Sequence, residues 1–231
     1  YTPLRFWGGK SAAMALSETG TDILAPGGGC DYPAIVSYQN DFDGTNPISK
    51  EYYDRFYKAI NFCNTAIYHV KNVPFSDKAL TSKREAEVRF LRAYYYWILV
   101  ETFGDTYYTD QPSESIVMAP RKTSVAEIYT HIFEDLDFCM DSRLSVAQSD
   151  GGRVTMWAAK ALKARLLLTR ASELNDKALY EQAYTLAKEV IDNGPFELSK
   201  DFAAVFDVEN SDGNGNKEVS WYIDYSSTNQ L

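Results

Sequence analysis

The sequence predicts an all-α protein in the main, a tetratricopeptide-like stack of helix hairpins with long irregular loops and a minor β element near the C-terminus. Three observations carry that prediction. Apolar residues recur at helical spacing through most of 51–194, and helix start and stop signals punctuate the same stretch. A pair of helices also recurs along the chain: Phe90-Leu91-Arg92-Ala93 overlays Ala161-Leu162-Lys163-Ala164 at an offset of 71, and Tyr57 to Ile60 overlays Tyr129 to Ile132 at an offset of 72. Helix hairpins of this type repeat at ~34 residues, with small residues where helices approach closely, so a unit of about twice that length reads as degenerate hairpins with inserted loops.

Taken in order, residues 1–50 form a loop-rich segment punctuated by Gly8-Gly9, Pro26 to Gly29, Pro33, Asp43-Gly44 and Asn46-Pro47, with a helical turn or two over Ser11 to Ser17. The first long helix begins at 51, where Tyr53, Phe56, Tyr57, Ile60, Asn64, Ile67 and Val70 share a face until Pro74. Ser82 and Glu85 have capping-box spacing, which places the start of the second helix there and its end at Gly104. Ser124 with Glu127 opens the third, through Ile128, Ile132, Leu136 and Met140. A fourth runs from Trp157 to about Ala171, and Asp176 caps a fifth that ends at Gly194-Pro195. Beyond it, in 195–231, Phe202 to Phe206 read as a turn and Glu218 to Tyr225 as a strand. The whole of 1–231 reads as one domain.

Composition narrows the function. The 231 residues carry 23 Lys and Arg against 32 Asp and Glu, a formal charge of −9, the wrong sign for general attraction to phosphate backbones, so nucleic acid is not an expected partner. No apolar run approaches the ~20 residues needed to span a bilayer as a helix. The three cysteines, Cys30, Cys63 and Cys139, form no CxxC pair and indicate neither a disulfide framework nor a zinc site. Cys63 and Cys139 read as core thiols.

Catalytic signatures do not assemble. His69 and His131 are the only histidines, outside any HExxH frame, and there is no GxSxG, Walker or GxGxxG motif. Paired carboxylates occur, Glu85 with Glu87 and Asp135 with Asp137, but neighbours two apart on a helix point to different faces and cannot converge on one bond. No cofactor and no enzyme activity is expected. Asn210, Asp212, Asn214, Gly215 and Glu218 echo a calcium loop, yet its twelfth place is Trp221, where a bidentate Glu is needed; a polar turn is the preferred reading.

The aromatic content stands out, with 17 Tyr. Those on helices read as packing between hairpins. Tyr1, Trp7, Tyr32, Tyr38, Tyr107, Tyr108, Trp221, Tyr222 and Tyr225 lie outside the predicted helices, beside Asp, Asn and Gln. A pyranose offers C–H faces to a ring and hydroxyl edges to carboxamides and carboxylates, so such a surface suits sugar binding.

The run Ala86-Glu-Val-Arg-Phe-Leu-Arg-Ala-Tyr-Tyr-Tyr96, followed by Phe103-Gly104-Asp105, resembles the central signature of the SusD/RagB family of outer-membrane nutrient-binding lipoproteins. Tyr57-Lys-Ala-Ile-Asn61 with Asn64, Arg121-Lys-Thr-Ser-Val-Ala-Glu-Ile-Tyr129 with Asp135-Leu136, Gly152-Arg153-Val-Thr155 with Ala158-Ala159, and Glu218 to Trp221 resemble further family motifs in the same order. The resemblance implies a helical protein held on the outer face of a Gram-negative outer membrane by an N-terminal lipid upstream of this chain. It implies a lid over a TonB-dependent transporter of the SusC type, which binds a glycan and hands it over without catalysis. Family members are longer, so the chain resembles their N-terminal portion.

The family's cavity varies with its ligand and draws on both halves, so the resemblance transfers no fixed site. It points most to the early segment. Gly20-Thr21-Asp22 resembles an early acidic motif, and Tyr38-Gln39-Asn40-Asp41 lies where an aromatic and an Asn often meet sugar in starch-binding members. The candidate ligand-binding residues are therefore Tyr38, to stack, Asn40, to bond hydroxyls, and Asp41, Asp22, Trp7 and Tyr32. Asp22 has a second reading, as a brace for its own loop. A peptide cargo, as in the RagB branch, and a protein-interaction scaffold that uses helix grooves are the alternatives.

Overall fold

The computed structural model describes residues 4, 16, 18–23, 34–35, 38, 43, 45–75, 77–141, 144, 152–207 and 216–223. Six helices of stated extent fall among them: α1 Pro47–Val70, α2 Lys78–Phe103, α3 Val125–Met140, α4 Met156–Leu174, α5 Lys177–Asn193 and the short α6 Phe202–Val205. The repeated stretches recognised in the sequence sit on α1 and α3 and on α2 and α4.

Capping explains most of the boundaries. α1 starts at Pro47, whose missing N–H and fixed φ suit a first helical position, and Asn46 Oδ1 accepts from the Ile48 N–H at 3.1 Å. It therefore begins four residues before the expected start. α2 also begins earlier than expected. Asp77 caps it by accepting from the Ala79 N–H at 2.8 Å, which leaves Ser82 inside the helix and Glu85 bound to Arg89 rather than to a cap. Ser124 and Asp176 act as the caps they were read to be, Ser124 for Glu127 and Asp176 for Ala178 and Leu179. Thr155 caps α4, and Asn175 in the left-handed region ends it.

The chain divides into two compact units, Tyr1–Phe62 and Cys63–Leu231. In the first, Leu4, Ile35, Ile48, Tyr52, Phe56, Ala59 and Ile60 are buried, and Leu16 packs against Ile35 and Ile48. In the second, α2, α3, α4 and α5 pack each against the next. Phe90, Ala93, Leu99, Ile128, Ile132, Leu136, Ala159, Leu166 and Ala171 supply the interior, the alanines letting backbones approach closely. Lys163 crosses from α4 to Asp137 on α3 at 2.5 Å, and Lys160 reaches Glu189 on α5 at 2.7 Å.

The strand expected over 218–225 is a correction. Lys217 and Glu218 form a turn, and 219–223 run without ladder partners among the described residues, outside which Asp224 and Tyr225 lie. What holds this stretch is an aromatic side chain: Trp221 packs edge-on against Phe90 and Tyr94 of α2, at 5.1 and 5.6 Å between ring centroids, and donates from Nε1 to the Gly152 carbonyl at 3.1 Å. The one isolated bridge among the described residues joins Thr106 to Thr123 across the long α2–α3 connection.

Candidate functional site

Two regions hold the residues that sequence reading singled out. The first lies in the Tyr1–Phe62 unit. Glu18 to Ile23 form a turn in which the Thr21 hydroxyl donates to the Glu18 carbonyl at 2.8 Å, and Thr21, Asp22 and Ile23 are exposed. Gly20 within it has φ +88°, a region open to glycine and costly for other residues. Tyr38 meets the turn there: its phenol donates to the Gly20 carbonyl at 3.0 Å while the residue remains 69% exposed. Asp22 is two residues from Gly20, within about 7 Å by chain geometry. Tyr38 and the Asp22 turn are thus brought together. Trp7, Tyr32, Asn40 and Asp41 lie outside the described residues, as does Cys30.

The second region is a buried polar network in the Cys63–Leu231 unit. Arg92 of α2 donates from Nε and Nη2 to the two oxygens of Asp135 on α3, and from Nη1 to Asn64 Oδ1 at 2.9 Å. Burial alone would lower the Arg92 pKa, but the hydrogen bonds and charge of Asp135 outweigh it and hold the guanidinium charged. Arg89 joins Asp135 to Glu85. Asn64 Nδ2 donates to the carbonyls of Thr109 and Gln111 at 2.9 and 3.2 Å, and Tyr96 both donates to the Thr109 carbonyl and accepts from its N–H. The network therefore ties α1, α2 and α3 to the base of the 104–123 loop. Tyr108 on that loop stacks flat on His131, with centroids 4.1 Å apart.

This placement explains the residues of the central motif, which sequence reading could locate but not interpret. Arg89 and Arg92 face the core of the unit, and Glu87 binds both Arg84 and Arg153, fastening the segment before α4. Glu85, Glu87 and Asp135 are each held by arginine and supply no carboxylate pair across a cleft. Among the described residues no group of His, Cys, Asp and Glu could hold a metal ion. The calcium-like stretch 210–215 lies outside the described residues, and the Glu218 carboxylate accepts from the Ser199 N–H at 2.5 Å.

An open groove of about 500 Å³ lies between the end of α2, the start of α3 and the end of α4. Its polar groups serve the fold. Glu101 accepts from the Tyr129 phenol at 2.5 Å, Asp105 caps the Val125 N–H at 2.9 Å, Ser124 caps Glu127, and Arg170 pairs with Glu173 while lying over the Tyr129 ring. No helix among the described residues is long and apolar enough to cross a membrane.

The described residues comprise a stack of helix hairpins in the Cys63–Leu231 unit and, in the Tyr1–Phe62 unit, a loop-borne aromatic beside a turn that carries Asp22. Residues 13–168 match the family model described as starch-binding associating with the outer membrane, and the chain belongs to this SusD-like family. It is 26% identical to a SusD-like protein of Bacteroides ovatus over 209 residues, 87% of this chain and 36% of that protein. It is 28% identical over 134 residues, 58% of this chain, to the starch-binding protein SusD of Bacteroides thetaiotaomicron, of which the match spans 23%. A crystal structure with xylogluco-oligosaccharide superposes with TM-score 0.72 at 25% identity, covering 91% of this chain and 40% of that one. The chain thus spans little more than a third of the length of the B. ovatus relative.

Proposed function

We propose that the protein captures an oligosaccharide at the cell surface and delivers it, uncleaved, to a SusC-like TonB-dependent transporter of the outer membrane. In this reading it is attached through a lipid outside residues 1–231 and carries out no chemistry on its cargo. The observation that carries the reading is Tyr38: its phenol donates to Gly20 while the residue is exposed beside the Asp22 turn, an arrangement that suits a pyranose face. Family membership supports it, as do relatives named for starch and xylogluco-oligosaccharide. Asp22, Asn40 and Asp41 are the proposed hydroxyl partners, with Trp7 and Tyr32 as further aromatic walls. That Glu85, Glu87 and Asp135 are neutralised by arginine supports binding over hydrolysis.

The test is calorimetric titration of the lipid-free protein in its full natural length with malto-, xylogluco- and laminari-oligosaccharides and with a peptide mixture, followed by chromatography of the recovered ligands. Saccharide binding with every ligand intact is the expected result. Shortened saccharides would sink the non-catalytic reading. Binding of peptides alone would replace the cargo.

A further inference from the structure

We infer that Gly20 is a positioning residue for saccharide recognition, one that acts chiefly through Tyr38. The inference rests on the glycan-binding reading and adds how its aromatic platform is held.

Three features of the Tyr1–Phe62 unit converge on it. Tyr38 has φ +52°, a left-handed conformation that is an outlier for a bulky aromatic residue and that persists only where surrounding contacts over-determine it. Its phenol supplies such a contact, an O–H donated to the Gly20 carbonyl at 3.0 Å across 18 residues of chain. Gly20 in turn leaves no room for a side chain while the phenol stays where it is. A Cβ there would sit 2.8 Å from Tyr38 Oη and 3.1 Å from the Ile35 carbonyl, and its φ of +88° disfavours any L-residue. Glycine at 20 is therefore what lets the phenol come down onto the backbone.

The consequence is geometric. Fixing the hydroxyl at one end and the backbone at the other removes freedom from both χ angles, so the ring presents itself with little ordering left for the ligand to impose. Preorganisation of this kind raises affinity by reducing what binding must order. The phenol hydrogen is committed to Gly20, so toward a ligand the side chain offers its C–H and π faces and an oxygen that can only accept. Hydroxyl recognition then falls to neighbours such as Thr21 and Asp22, both exposed on the same turn. The ligand class that fits is a pyranose with an apolar face and hydroxyl edges.

The experiment compares the parent protein in its full natural length with Gly20→Ala, Tyr38→Phe, Tyr38→Ala and the Gly20→Ala/Tyr38→Ala double variant. Affinity is read by calorimetry against the same malto-, xylogluco- and laminari-oligosaccharides. In parallel, 3-fluorotyrosine is placed at 38 in the parent and in Gly20→Ala, and its fluorine resonance is recorded without ligand. The expected results are a shifted or broadened resonance in Gly20→Ala and a loss of about tenfold in affinity, about 1.4 kcal/mol. Tyr38→Phe should fall alongside Gly20→Ala, since it keeps the ring and loses the anchor. In the Tyr38→Ala background, Gly20→Ala should cost much less than it does in the parent, leaving only the strain that its own turn feels. An unchanged resonance, or an equal loss from Gly20→Ala with and without Tyr38, overturns the positioning role and leaves glycan binding standing. Full affinity in Tyr38→Ala overturns it as well. A parent that binds none of the saccharides overturns both readings.

Discussion

Arg92 and Asp135, 43 residues apart in sequence, meet as a two-pronged pair: Nε to Oδ2 and Nη2 to Oδ1, each at 2.7 Å, with both side chains buried. A buried pair of this kind makes its presence felt when one half is removed, because the other charge is then stranded away from water. Arg92→Leu or Asp135→Leu alone should each destabilise the protein by roughly 3–5 kcal/mol. The double variant Arg92→Leu/Asp135→Leu should recover a large part of that loss. Urea unfolding of the three variants checks it. A single variant costing no more than the ~1 kcal/mol of an exposed pair would show that the pair is not dry.

Asn64 is the link from that pair to the loop. Its carbonyl accepts from Arg92 and its amide donates to two loop carbonyls, so Asn64→Ala takes a partner from the buried Arg92 Nη1 and unties the loop from α1. A cost of about 1–3 kcal/mol is expected. The more specific outcome is in hydrogen exchange: amides of 107–113 should exchange faster while those of α3 and α4 stay protected. Uniform loss of protection would contradict a local tether.

The start of α2 distinguishes two caps. Asp77→Ala removes the side chain that accepts from the Ala79 N–H and should cost about 1 kcal/mol. Ser82→Ala, inside the helix, should stay within about 0.5 kcal/mol of the parent. Thermal melts of both suffice, and the reverse order would restore the box at Ser82 as the true start.

Alkaline pH should unfold the protein. Burial pushes the Cys63 thiol up to about 12. Burial likewise raises the phenols of Tyr96 and Tyr108, and burial together with Glu101 raises Tyr129. A group whose folded pKa lies above its unfolded value, about 8.5 for Cys and 10 for Tyr, binds more protons when folded. Its stabilising effect is complete below the unfolded value and is lost as pH climbs toward the folded one. The melting temperature should therefore be steady through neutral pH and fall above about pH 9–10. Absorbance at the tyrosinate band is the check: a full set of phenols titrating near 10 with the fold intact would contradict it.

Much of the helical architecture was legible because it rests on local signals. Ser124 and Asp176 cap their helices with their own side chains, and periodicity needs only neighbours in sequence. The start of α2 was misplaced for a related reason: Ser82 and Glu85 have the right spacing for a cap, but Asp77 lies closer to Pro74 and claims the first turn, while Arg89 claims Glu85. The expected strand is absent over 218–223, where Trp221 packs on Phe90 and Tyr94 of α2. Of the candidate site, Tyr38 and Asp22 were legible as residue types. The role of Gly20 was not, since it depends on a contact 18 residues away and on a backbone angle that composition does not reveal.

The α2–α3 connection closes on itself. Thr106 and Thr123 exchange backbone hydrogen bonds at 3.2 and 2.8 Å, and Asn64 and Tyr96 hold Thr109 and Gln111 just inside that closure. Beyond them the chain carries Ile116 and Met118 at 85% and 88% exposure, so its far end contributes little to the interior. Lengthening a closed loop costs only about 0.6 kcal/mol per doubling. The stretch from Pro112 to Pro120 is therefore a cassette: a lineage, or an engineer, can rewrite or extend it and leave the helices it joins unaltered.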